Sequence, residues 1–327
     1  MDTVTSRENR SATEYHFLGE QEDAIIRATA YHNKEYDLSV ISFPSRTRNG
    51  IRRSVSRPFP RAPNASLGTL DRLPLELLVY VSLHLDIYSL FKFRQTNLRS
   101  RQVIDSLQEY RAVTSHGLNP LYALLRTQLA TYVSLSDFYN VLCTNNCAFC
   151  GEFGGFVFLP TWSRCCFECV KKAPETQMQT LASLRKQFRL TQAAISKLRC
   201  FKTLPGIYTM DESTYKSRFK IVPVHQAMLV SGKQPQAGEQ PPTPRPIYRY
   251  NYMASCALPY YERRSGRVEY GISCAGCQLF RGKVYAQGGF LEHFKWCKGA
   301  QREWEFRVGV KRSTRSQRNG GYFRRKY

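Results

Sequence analysis

The sequence has no apolar run long enough to cross a bilayer. Its longest, inside LPLELLVYVSLHL, falls far short of the roughly 20 residues that such a span needs. The opening residues MDTVTSRENRSATEYHF hold no apolar core of signal-peptide type, so the chain is expected to be soluble and intracellular, in nucleus or cytoplasm. There is no internal repeat and no glycine loop of the kind that cradles phosphate. His84 and His225 have no acidic neighbours at a spacing useful for catalysis, and no base is in place for a cysteine nucleophile. The chain is therefore read as a non-enzyme. Acid is missing from two segments: residues 45–66 carry six arginines and residues 307–327 eight basic residues, together 14 of the net charge of +23. Both are expected to be solvated, disordered ends, with nuclear import or nonspecific nucleic-acid contact as competing uses.

What the sequence does have is cysteine, eleven in 327 residues. In a reducing compartment that number argues for metal binding over disulfides. The first constellation is Cys147-x2-Cys150, fifteen residues, then Cys166-x2-Cys169. Two residues between thiolates let one turn aim both sulfurs at one ion, and two such turns complete a tetrahedron with Zn–S distances of about 2.3 Å. Cys165 adjoins Cys166; Cys166 is preferred because it keeps the two-residue spacing to Cys169, and Cys143 is a further alternate. The second constellation is Cys274-x2-Cys277, fifteen residues, then His293-x3-Cys297. The last pair is spaced to project from one helix face. Both quartets are full, whereas a catalytic zinc keeps an open position, so two structural zinc sites are predicted.

The expected fold class is α+β, in six parts: a disordered basic region 1–66, a helical module 67–115, a helical region 116–230 with the first zinc site, a Pro/Gly-rich loop 231–246, a hairpin plus helix 247–306 with the second zinc site, and a disordered basic tail 307–327. Within the module, Pro74 suits a first helical turn, Leu77, Leu78, Val81 and Leu85 share a face, Asp86 can cap a second helix, and Asn97 can open a third. Asn119-Pro120 signals another helix start. GGFVFLP reads as a strand, PETQMQTLASLRKQFRLTQAAISKLRCF as helix, and the stretch around Ser265-Gly266 as a hairpin whose strand leads into the second knuckle.

The stretch from Leu73 resembles an F-box: Leu73, Pro74, Glu76, Leu77, Leu78, Val81, Leu85, then Asp86 and Leu90, over about 40 residues. With CAFC…RCCFEC, FKTLPGIYTMDESTYKSR and GISCAGC…HFKWC following, the layout is similar to a group of fungal F-box proteins with cysteine-rich C-terminal regions. The resemblance implies docking onto a Skp-type adaptor, with a cullin, in a ubiquitin ligase. Leu73, Pro74, Val81, Leu85 and Leu90 would form the docking surface, and the zinc-braced region would hold an unknown protein substrate. Two positions depart from the pattern: His84 stands where a tyrosine is usual, and Ser100 where the third helix usually has an aromatic. A different class, a zinc-dependent nucleic-acid binder or a scaffold, is motivated by the charge. It is disfavoured by the closing segment FLEHFKWCKGAQREWEF, whose aromatics and three Glu suit packing better than base contact.

Overall fold

A computed structural model of the chain describes residues 9–56, 65–208, 214–232, 248–277 and 283–314, with side chains as far as residue 307. The chain divides into a larger unit, Lys34–Tyr270, and a smaller one made of its two ends, Met1–Asn33 and Gly271–Tyr327. The architecture mixes helices with small antiparallel sheets.

In the larger unit, the helices Leu75–His84, Ile87–Thr96 and Leu98–Ser106 follow one another, separated by Leu85-Asp86 and by Asn97 alone. The breaks are set by side chains. Asp86 accepts from the Ser89 backbone N–H, and Asn97 accepts from Ser100 N–H while the Ser100 hydroxyl returns to Asn97 N–H, a reciprocal cap. Ser100 is fully buried, so the position where an aromatic was expected holds a small capping residue. Pro74 stands at the N-cap of the first helix and not inside its first turn. Helices Gln108–His116, Leu118–Thr127 and Leu135–Leu142 complete the bundle. Gly117, not Asn119, caps Leu118–Thr127; the Asn119 side chain instead bonds Ile41 O at 2.7 Å and Phe43 N–H at 3.1 Å.

The strand Phe156–Phe158 is the centre of a three-stranded sheet, paired antiparallel with Ser163–Cys165 and with Ser255–Ala257. It is buried throughout, which explains its unbroken apolar run. One core joins the helices and this sheet: Leu90, Ile104, Val113, Leu124, Phe138, Val157, Phe158 and Cys256 belong to the same apolar cluster.

Several expectations are corrected. The N-terminal region is not disordered over residues 9–56. Helix Ser45–Ser56 docks on the bundle through Val55, which is buried, through Tyr110 Oη, which donates to Val55 O at 2.8 Å, and through Arg94, which donates to Ser54 O at 3.1 Å. A cation at the last carbonyls of a helix also complements its dipole. The segment Met178–Thr180, expected to be helical, is a strand paired with Lys220–Pro223, and the helices Leu181–Phe188 and Gln192–Ser196 start only after it. The hairpin is real but short, Tyr260–Tyr261 against Val268–Glu269, and it belongs to the larger unit, whereas the second quartet belongs to the smaller one. The strand that carries Cys274 pairs with Ala30–Tyr31 instead. The helix Lys298–Thr314 carries order into the segment read as a tail. The Pro/Gly-rich loop lies outside the described residues from 233 onward, as does the tail beyond 314.

Among the described residues Arg94 is the largest fully buried side chain, and it holds Asp105 at 2.7 and 3.2 Å. Removing one partner of such a pair leaves an uncompensated charge, at a cost of about 3–5 kcal/mol. Arg94→Ala is therefore expected to lower unfolding stability by that amount in urea titration. A change within experimental error would show that the pair carries no such weight.

Candidate functional site

Three arrangements concentrate chemistry. The first is the quartet Cys147, Cys150, Cys166 and Cys169, whose sulfurs all lie within 4.8 Å of one another. Cys147 and Cys150 sit in a tight turn closed by Gly151 N–H to Cys147 O at 3.0 Å, and Gly151 takes φ +76°, a conformation glycine adopts without steric cost. The Phe149 N–H points at Cys147 Sγ, 3.4 Å away. Cys166 is the N-cap of helix Phe167–Lys172, so the Cys169 N–H donates to its sulfur at 3.4 Å. The Sγ atoms of Cys150 and Cys166 are 3.6 Å apart. A disulfide would need about 2.05 Å, whereas a tetrahedral ion with metal–sulfur bonds of about 2.3 Å places its sulfurs about 3.8 Å apart. The donor set therefore fits a metal ion.

Cys165 lies on the strand Ser163–Cys165, one residue before Cys166. Strand alternation turns its side chain into the core, where it is fully buried and where burial pushes its thiol well above the usual range. It is not among the quartet. Cys143 is not among it either.

The second quartet is Cys274, Cys277, His293 and Cys297, again with ligand atoms within 4.8 Å of one another. Sulfur–sulfur distances are 3.8 Å for Cys274–Cys297 and 3.5 Å for Cys277–Cys297, and His293 Nε2 is 3.5 Å from Cys277 Sγ. The helix Gln287–Trp296 ends before Cys297, which takes extended backbone angles. His293 and Cys297 thus do not share a helix face: the chain breaks at Cys297 and restarts at Lys298. Two glycines permit this approach. A Cβ on Gly276 would meet Gly299 C at 2.3 Å and Ala300 N at 2.2 Å, and one on Gly299 would meet Gly276 O at 2.5 Å. Tyr285 stacks on the His293 ring at 4.8 Å and places its hydroxyl 3.3 Å from Nδ1. With Nδ1–H donating to Tyr285 Oη, Nε2 is left as the ligand atom, the usual means of fixing a metal-binding histidine.

Without a metal ion, protons and hydrogen bonds share these sites unevenly. The hydrogen bond from Cys166 holds the Cys147 thiol down at about 4, while burial raises Cys169 to about 12. Cys297 is pushed far down by hydrogen bonds from Cys274 and Cys277. Burial works to lower His293, but its hydrogen bonds to Cys277 and Cys297 prevail and hold it at about 9. Each quartet thus already favours a thiolate, and an arriving cation must expel protons from the remaining ligands.

The third arrangement is an apolar face on helix Leu75–His84. Leu78 and Ser82 turn inward, whereas Leu77, Tyr80 and Val81 are 49%, 61% and 50% exposed and, with His84, recur at helical spacing on one stripe. Leu73, Pro74 and Leu75 extend the exposed surface at one end, and Leu85 is half-buried. Leu90, expected at this surface, is 1% exposed and belongs to the core. The His84 ring lies tilted against that of Tyr80, with centroids 4.4 Å apart, so an aromatic is present on this stripe one turn before the expected position.

Compared with protein families, residues 70–112 match the F-box domain. That span holds the exposed stripe and the three successive helices, and it reaches into Gln108–His116. Comparison with characterised protein sequences and with solved structures finds no match in either. No helix among the described residues is long and apolar enough to cross a membrane.

The thiols at 165 and 166 separate ligand from core residue. Cys166→Ser is expected to lower bound metal by one equivalent per chain in elemental analysis, and Cys165→Ser to leave both. The opposite result would exchange their assignments. At the second quartet the sign of the pH effect follows from His293: raised to about 9 without metal, it must shed a proton to bind at neutral pH. Metal affinity there should fall by at least about tenfold per unit as pH drops below 9. Competition titration checks this, and a flat profile between pH 6 and 8 would contradict it.

Proposed function

We propose that the chain is the substrate-recognition subunit of a Skp/cullin/F-box ubiquitin ligase, working in nucleus or cytoplasm and contributing binding, not catalysis. The carrying observation is the exposed stripe Leu77, Tyr80 and Val81 within the F-box match. A single short helix that leaves this much apolar surface outward is expected to meet a partner. Leu73, Pro74 and the half-buried Leu85 adjoin the stripe and complete the adaptor surface. Leu90 contributes from behind, by packing.

The ions are read as zinc. Sulfur-rich, tetrahedral, fully ligated quartets suit that ion, and a site with four protein ligands keeps no position for substrate. Their role is to fix loops that lack much regular structure, so that the surface offered to a protein target is rigid.

A second reading has one observation in its favour. Arg46, Arg48, Arg52 and Arg53 on helix Ser45–Ser56 are all exposed and have no acidic residue on their own helix. They could contact nucleic acid. Such binding would weaken steeply with salt, and unchanged probe mobility at low salt would exclude it.

Adaptor association distinguishes the readings. The wild-type chain is expected to co-purify with a Skp-type adaptor, and Leu77→Asp combined with Val81→Asp to lose it with an unchanged melting temperature, because both residues are exposed. Leu90→Ala should instead cost about 2–5 kcal/mol of stability as a buried truncation. Failure of the wild-type chain to bind any such adaptor would defeat the proposal.

A further inference from the structure

The second quartet is touched by a residue from the opposite end of the sequence. Asn9 lies 267 residues before Gly276 and 288 before Cys297. Its Nδ2 donates to Gly276 O at 3.3 Å and lies 3.5 Å from Cys277 Sγ and 3.9 Å from Cys297 Sγ. Its Oδ1 accepts from Gly299 N–H at 3.0 Å, and its backbone carbonyl accepts from Lys298 N–H at 3.0 Å. The carboxamide thus spans the two glycine-bearing loops whose close approach forms the site.

Its orientation is not arbitrary. With the amide reversed, oxygen would face a carbonyl and two sulfurs, and nitrogen would face an N–H. Only the orientation described satisfies all four groups. One amide hydrogen serves Gly276 O, and the other is shared between the two sulfurs. The flanking segment keeps Asn9 in place: Ser11 N–H donates to Trp296 O at 2.9 Å, Tyr15 N–H donates to Lys295 O at 3.0 Å, and the Tyr15 and Phe17 rings pack edge-on against Phe294 at 5.3 and 5.8 Å.

We propose that Asn9 is a positioning residue of the second metal centre, donating to the thiolates of Cys277 and Cys297 and so slowing loss of the ion. The inference rests on the reading of that quartet as a metal site. Donation to a ligating thiolate spreads its charge, which disfavours both protonation and attack by electrophiles while the metal–sulfur bond is kept. Retention of the ion at the second centre then requires the N-terminal segment, whereas the first centre, built entirely within residues 147–169, does not.

The test uses the full-length, zinc-loaded chain and follows release to a chromogenic chelator, with the first quartet as internal control. Asn9→Ala is expected to accelerate release from the second site about 10–100-fold and to leave the other phase unchanged. Asn9→Asp keeps the size and the acceptor for Gly299 N–H but removes the donor. It should accelerate release at least as much, and in cobalt-loaded protein it should shift the sulfur-to-metal charge-transfer absorption. Wild-type release and spectrum in Asn9→Asp would overturn the proposal, because Asn9 would then act only as a staple between loops. A wild-type chain that takes up a single equivalent of metal would instead remove the second centre itself, and the proposal with it.

Discussion

The larger unit hangs on one buried cation. Arg164 is 2% exposed, and its guanidinium donates to four backbone carbonyls: Gly154 at 2.6 Å, Val141 at 3.0 Å, Pro259 at 3.1 Å and Leu258 at 2.8 Å. No carboxylate among the described residues pairs with it. Burial pulls it down to about 10, so it remains charged at neutral pH. A desolvated guanidinium is tolerated because its planar fork finds an acceptor on nearly every N–H. The same residue's carbonyl accepts from Ala148 N–H at 2.8 Å, inside the first knuckle. One residue, by side chain and backbone together, therefore fixes the end of helix Leu135–Leu142, the loop after strand Ser255–Ala257, and the turn that presents Cys147 and Cys150. Gly154 must be glycine for this, since a Cβ there would lie 2.7 Å from Arg164 Cγ.

From this hub a continuous path runs to the F-box helices. Helix Leu135–Leu142 begins where Leu135 N–H donates to Leu85 O, and Ile87 N–H donates back to Val133 O. The first quartet and the helix Leu75–His84 that carries the exposed stripe are thus built on one frame with one core. The surface around the first quartet therefore keeps a fixed bearing on the exposed stripe at Leu77 and Val81.

How much of this was legible in the sequence depended on how local its cause was. The quartets could be read because thiolate pairs two residues apart are set by single turns, and the caps at Asp86 and Asn97 because a side chain meets a backbone group three residues on. What could not be read has distant causes. The arginine-rich stretch 45–56 has almost nothing apolar to announce order; Val55 suffices because Tyr110 and Arg94, 55 and 40 residues away from the carbonyls they bind, supply the rest. Met178–Thr180 carries a helical pattern but is claimed by Lys220–Pro223 as a sheet partner. The F-box pattern puts Leu90 among the docking residues, yet nothing in the pattern says which of its leucines the rest of the chain will cover. Cys297 follows His293 at helical spacing, and only the Gly276–Gly299 contact shows why the helix must break there.

The two quartets differ in the same respect. The first closes a loop of about twenty residues, and its four ligands and the hydrogen bonds from Phe149, Gly151 and Cys169 on its turns all lie within residues 147–169. The second gathers its ligands from residues 274–297 but is completed by residues 9–17, so the smaller unit brackets the whole of the larger one in sequence. Joining ends across so long a chain costs loop entropy that grows only slowly with length, and short contacts such as Asn9 with Gly299 and Ile25 within the apolar cluster of Phe290, Leu291 and Phe294 offset it. Metal bound at this second centre stabilises whatever conformation holds its ligands together. An ion held there would fasten the two ends of the chain to each other, whereas one held by the first quartet would fasten only a stretch within the chain, so the same chemistry of four ligands would brace structure at two very different sequence ranges.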